Sequence, residues 1–229
     1  MTITDTTTIS DIAAALPSSI RVFQHYGVDF CCGGKKPLGV VCRERNLDFV
    51  EIAAAIVTST AGPREERDWS QESLGTLISH ILTTYHEPLR EELPRLGAMA
   101  AKVAQAHGGK APAFERVRVI VAELAADLLA HMQKEEVVLF PAIDANEASV
   151  PPKFPIAGPI AAMEHEHDDA GALLAELRAL TEDYEPPAWS CATVRALYHG
   201  LAELESAMHV HVHLENNVLF PRALRLAQP

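Results

Sequence analysis

Two stretches of this chain repeat one arrangement of metal-ligating residue types. HMQKEEVVLFP, from His131 to Pro141, and HVHLENNVLFP, from His211 to Pro221, both read H-x-x-x-E-x-x-V-L-F-P. The first sets His131 four residues before Glu135; the second sets His211 four residues before Glu215. Residues i and i+4 share a helix face, with Cβ atoms about 5–6 Å apart. An imidazole and a carboxylate at that spacing can reach one metal ion together. A single HxxxE arises readily by chance, but two copies with the same flanking residues, 80 positions apart, are a specific signal.

Four helices must carry these residues, because the apolar residues recur at helical spacing with no competing strand alternation. Ser70 opens the first helix, whose stripe is Ile78, Leu82, His86, Leu89 and Leu93, and Gly108-Gly109 ends it. Pro88, two residues after His86, predicts a kink there. The second helix starts at Pro112, a residue suited to a first turn. Its stripe is Leu124, Leu128, His131, Glu135 and Val138, and Pro141 is expected to close it. The loop NEASVPPKFPIAGP, with four prolines, leads to a third helix with the stripe Met163, His167, Ala170, Leu174 and Leu177. EPPAW breaks that helix, and Ser190 is expected to cap a fourth with the stripe Leu204, Met208, His211, Glu215 and Val218. His86 precedes His131 by 45 residues and His167 precedes His211 by 44. The spacing predicts two helix hairpins of one design, related by a pseudo-two-fold.

Eleven histidines compete for the role of ligand. His209 and His213 form a rival i, i+4 pair, but their stripe includes Glu205 and Asn216 and reads as solvent-facing. His165 shares its stripe with Asp169 and Glu176, and His80 lies among Ser73, Thr76 and Thr84. His25, His107 and His199 have no second histidine at ligand spacing. One histidine on an apolar stripe is more often a hydrogen-bonded core residue than a ligand. Six titratable groups on the inner stripes of four helices are another matter, since unpaired burial of charge is costly. Two divalent or trivalent cations would neutralise them. Imidazole and carboxylate in a four-helix bundle suit a carboxylate-bridged di-iron or di-manganese centre, with Glu135 and Glu215 bridging and two histidines on each metal; zinc is the alternative.

Composition narrows the setting. A formal net charge of −12 argues against a nucleic-acid or anionic membrane surface as partner. No apolar run approaches the ~20 residues that span a bilayer, and MTITDTTTISD lacks the basic and apolar segments of a secretory signal. Four cysteines, two of them adjacent, make no disulfide framework, so a cytoplasmic, reducing compartment is expected. Residues 1–60 read as a small helical unit: Ser10 as cap of DIAAAL, Ser18 or Ser19 opening IRVFQHY, Gly27 ending it, and Asn46 as cap of LDFVEIAAAIV. Residues 61–68 read as a polar linker, and 69–229 as the bundle.

HMQKEEVVLFP, MEHEHDDAG and HLENNVLFPRAL resemble the haemerythrin-like domain, and VDFCCGGKKPL resembles the small N-terminal domain of the iron–sulfur cluster repair di-iron proteins, the repair of iron centres family. The resemblance implies an all-α protein, an antiparallel haemerythrin-like four-helix bundle preceded by a small cysteine-bearing domain. It implies two iron ions, oxo- or hydroxo-bridged, held by His86, His131, Glu135, His167, His211 and Glu215. The implied function is repair of iron–sulfur clusters damaged by nitrosative or oxidative stress, as iron donor, with damaged iron–sulfur proteins as partners and nitric oxide or oxygen as small ligands. The alternatives are a nitric oxide or peroxide reductase, or an oxygen- or iron-binding sensor or storage protein. Oxygen-carrying haemerythrins place a further histidine where this chain has Gly171, which leaves coordination positions open. Cys31 and Cys32 are candidate thiols for passing iron or reacting with nitric oxide, with Gly33 and Gly34 expected to leave both sulfurs accessible. The structural alternative is two residues at a glycine turn. Glu166, beside His167, is expected either to support a ligand or to line a path to the metal.

Overall fold

The computed structural model describes residues 1–31, 33–59, 68–149 and 151–226. The expected linker, save Asp68, lies outside the described residues, as does Cys32. The fold is all-helical. Among the described residues no helix is long and apolar enough to cross a membrane.

Four short helices form the N-terminal unit: α1 (Ile9–Ala15), α2 (Ser19–His25), α3 (Leu38–Glu44) and α4 (Phe49–Ser59). Their caps sit close to the expected residues but not on them. Thr8, rather than Ser10, accepts the Asp11 N–H at 3.2 Å, and the Asp48 carboxylate, rather than Asn46, accepts from Val50 and Glu51. Asn46 instead turns the chain with φ 54°, as Gly27 does with φ 63° at the end of α2. Ile9, Ile12, Phe23, Phe30, Leu38, Ile52 and Ile56 make the unit's core, and Val210 of the last helix packs against it.

The bundle consists of four long helices. Helix α5 runs from Leu74 to His107, α6 from Ala113 to Glu147, α7 over Ala157–Leu180, and α8 from Ala192 to Leu226. The successive short connections send them up and down in turn, with α5 against α6 and α8, and α6 against α7. Gly200 permits the α5–α8 approach, since a Cβ there would stand 2.7 Å from a Leu96 methyl.

Three of the four helices contain a π-helical turn: Leu82–His86 in α5, Glu135–Leu139 in α6 and Leu214–Leu219 in α8. The N–H of Glu87, Phe140 and Phe220 donates five residues back, to the carbonyls of Leu82, Glu135 and Glu215. A proline follows each of these donors: Pro88, Pro141 and Pro221. Proline cannot bond the carbonyl four residues behind it and crowds it sterically. That carbonyl belongs to Thr84, Val137 or Asn217, each inside a widened turn that moves it aside.

The prolines therefore widen the helices rather than stop them. Pro141 does not close α6, which continues as Phe140–Glu147, and α8 runs on through Phe220–Leu226. The extra residue in the turn also shifts the helical phase. Leu139 enters the core in place of Val138, which the sequence stripe had put inward.

Candidate metal centre

The centre lies between two apolar layers of the bundle. One layer is built around Leu89, Leu93, Leu124 and Leu128, the other around Leu77, Ile81, Leu139 and Phe140. The π turns place His86, Glu135 and Glu215 at this level, and the regular helix places His131, His167 and His211. All six side chains are buried, both glutamates completely.

Their ligand atoms converge in two sets. His86, Glu135, His211 and Glu215 form one; His131, Glu135, His167 and Glu215 form the other. The glutamates belong to both. Nε2 of His86 stands 3.1 Å from Nε2 of His211, and Nε2 of His131 stands 3.0 Å from Nε2 of His167. Oε2 of Glu135 faces His86 at 3.5 Å and His131 at 3.4 Å. Glu215 divides its oxygens, Oε1 toward His211 at 3.0 Å and Oε2 toward His167 at 3.1 Å.

Among the described residues neither oxygen of Glu135 accepts a hydrogen bond, although both are buried. A buried carboxylate in that state carries a desolvation cost that a cation removes. Burial, then the charge of Glu215, pushes the Glu135 carboxyl above its usual range. Burial acts the same way on Glu215, but His211 and His167 together outweigh it and hold that carboxyl well below. Burial and the neighbouring His211 lower His86 to about 4. Burial would also lower His131, yet Glu135 beside it, with Glu215 and Glu166, raises it to about 9. Four neighbours with such opposed preferences share one site whose demands a metal would meet at once. The donor set of imidazole and carboxylate fits a pair of metal ions.

Three ligand histidines are also held at their outer nitrogen. Nδ1 of His86 meets Glu136 Oε1 at 2.8 Å, and Arg90 in turn donates to both oxygens of Glu136. Nδ1 of His131 meets Glu166 Oε2 at 2.9 Å, with Lys134 on the other oxygen. Nδ1 of His167 meets Asn216 Oδ1 at 2.8 Å. Glu166 thus holds the His131 ring in place. The sequence reading leaves Glu136 unmarked and puts Asn216 in solvent, yet each directly follows a motif glutamate in its π turn and so faces the neighbouring helix.

The histidines set aside fare differently. His165 is exposed, as expected. His213 is buried, and the face it shares with His209 is not solvent-facing. Phe30 of the N-terminal unit packs edge-on against both rings, at 6.0 Å from His209 and 5.7 Å from His213. Glu205, taken for a solvent residue, is buried against Arg178 at 2.6 Å. The stripe marked this face correctly as polar, but a docked unit covers it. Burial lowers His213 to about 4, so it is neutral there.

The same docking buries Cys31, contrary to the expected access. Its side chain packs with the apolar layer of the bundle, and its N–H and Sγ–H both donate to Asp29 Oδ1, at 2.9 and 3.2 Å. Cys31 does line a polar cavity of about 720 Å³ between the two units, together with Asp29, Gly171 and His209.

Comparison with known proteins extends this picture. The Hemerythrin HHE cation binding domain matches residues 77–223, and a domain of unknown function (DUF542) matches residues 5–59. The chain is 42% identical over 216 residues to the iron-sulfur cluster repair protein YtfE of Edwardsiella ictaluri, spanning 94% of this chain and 96% of that protein. It is 40% identical over 217 residues to the protein of that name from Dickeya chrysanthemi, spanning 95% and 96%. With the Yersinia pseudotuberculosis serotype IB protein of that name the identity is 41% over 214 residues, spanning 93% and 95%.

Proposed function

Since the chain belongs to the haemerythrin-like iron–sulfur cluster repair family, we propose that it restores iron–sulfur clusters damaged by nitrosative or oxidative stress, acting as a donor of iron in the cytoplasm. The observation that carries this reading is the pair of fully buried glutamates, each shared by two histidine pairs, with both Glu135 oxygens free of hydrogen bonds among the described residues. Two iron ions are the proposed occupants. His86 and His211 would hold one, His131 and His167 the other, and Glu135 and Glu215 would bridge them.

The chain's own residues do three things in this reading. The six residues supply four imidazoles and two carboxylates, which would offset part of the charge of two cations. Glu136, Glu166 and Asn216 orient three imidazoles through their outer nitrogens. The apolar layers above and below keep bulk water from the seat. Cys31 and Cys32 are the proposed thiols for taking or passing iron, and the cavity beside Cys31 gives that thiol its surroundings. Damaged iron–sulfur proteins are the proposed clients.

The test is anaerobic repair of a [4Fe–4S] dehydratase inactivated by nitric oxide. Iron-loaded protein is expected to restore its activity, and metal-free protein or Glu215→Leu is not. Equal recovery with and without loaded iron would overturn the donor role. Catalytic consumption of nitric oxide without repair would move the protein to the reductase alternative.

A further inference from the structure

The pseudo-two-fold that relates the hairpins exchanges the two halves of the centre, and the halves are not equal. It carries His86 onto His167 and His131 onto His211. It also carries Glu136 onto Asn216, since each follows its motif glutamate by one residue. Those two residues do the same work, accepting from Nδ1 of His86 and of His167 at 2.8 Å. The symmetry breaks at the remaining pair. Glu166, directly before His167, accepts from Nδ1 of His131. Its counterpart, directly before His86, is Tyr85. The Tyr85 ring lies parallel to His211 at 3°, with centroids 5.1 Å apart, and offers no acceptor in the ring plane. Nδ1 of His211 is buried with no hydrogen-bond partner among the described residues. Lys134, which neutralises Glu166, has Leu214 as its counterpart, so charge and countercharge are replaced together by apolar side chains.

We infer that the two halves hold metal unequally: the ion between His86 and His211 is bound more weakly and leaves first, and the ion between His131 and His167 is retained. An acceptor at the outer nitrogen fixes the ring and raises the basicity of the ligating nitrogen; loss of one costs about 10–100-fold in metal affinity. The His131–His167 half has two such acceptors, and the His86–His211 half has one. Tyr85 also lines cavities of about 480 and 400 Å³, so open space reaches the residue stacked on His211. This inference rests on the di-iron reading above and adds which ion is given up.

Release of ferrous iron to a chelator from reduced, anaerobic, full-length protein tests it. Iron content is measured first; a protein that never binds two irons overturns the di-iron reading rather than this one. With two bound, release is expected in two equal phases whose rates differ about 10-fold or more. Glu166→Leu and Asn216→Ala, which remove the acceptor, are expected to speed the slow phase alone, and Glu136→Leu the fast phase alone. Asn216→Asp, which keeps the acceptor, is expected to preserve the slow phase. Tyr85→Glu combined with Leu214→Lys rebuilds the missing acceptor and its countercharge, and is expected to slow the fast phase toward the other. A single release phase from the two-iron protein, or a fast phase that responds to Glu166→Leu, would overturn the inference.

Discussion

Val138 and Val218 hold the same position in the two copies of H-x-x-x-E-x-x-V-L-F-P, yet Val138 is 57% exposed and Val218 only 6%. The inner faces of the copies are alike: histidine, glutamate, π turn and proline occur in the same order and converge on one site. The outer faces differ because only the second copy has a neighbour. In the first, Lys134, Glu136 and Val137 meet solvent or surface ion pairs. In the second, Leu214 and Asn217 stand at the positions of Lys134 and Val137. Asn217 donates to the Phe30 carbonyl at 3.0 Å, and α1 lies against the π turn. Chemistry constrained the inner face of both copies. Docking of the N-terminal unit rewrote the outer face of one.

The largest test of that difference is Phe30→Ala. Phe30 is buried, stacks on Phe23 at 6.2 Å and covers His209 and His213. Removing such a side chain costs about 3–5 kcal/mol. Denaturant unfolding is expected to show that loss, with iron content retained because all six proposed ligands lie in the bundle. Loss of both irons at a stability that still leaves the bundle folded would join the two units into one site.

A smaller effect is expected with pH. His213 is neutral in the fold, its pKa near 4, whereas an unfolded histidine titrates near 6.5. Below pH 6.5 the unfolded chain takes up a proton that the folded chain refuses, so stability falls with pH and levels off near pH 4. The loss is about 3 kcal/mol. His213→Gln, which copies Gln133 of the first motif, should flatten this part of the stability profile of the metal-free protein. Coincident wild-type and variant profiles between pH 7 and 4 would place His213 in contact with water.

The smallest effect separates the two valines directly. Val218→Ala removes buried methyl groups and is expected to cost about 1–2 kcal/mol. Val138→Ala, on the exposed copy, is expected to stay within about 0.5 kcal/mol. Equal costs would mean that the N-terminal unit does not cover α8 in solution.

The helices and the six inward residues were legible because side chains on one stripe share a direction, and the stripes named themselves through leucine, methionine and alanine. Two physical facts lay outside that reading. A stripe extrapolated through a π turn goes out of phase by one residue, so Val138 was put inward and Pro141 was made a terminus; the repeated F-P after each turn was the available sign. A polar stripe also cannot say whether water or another unit faces it. His213 and Glu205 read as solvent residues, and only the fold brings Phe30 and Arg178 to them. Adjacent glycines made Cys31 look open, whereas the same docking buries it. The supporting residues Glu136 and Asn216 required the geometry, since neither type nor spacing sets them apart from surface residues.

Anomalous diffraction at the iron edge, from crystals of iron-loaded protein, tests most directly whether six residues hold two metal ions. Two peaks per chain are expected, one between His86 and His211 and one between His131 and His167, both within reach of Glu135 and Glu215. Glu135→Leu and Glu215→Leu are expected to lose one or both peaks, and His213→Ala to keep them. A single peak, or one centred on His209 and His213, would contradict the account.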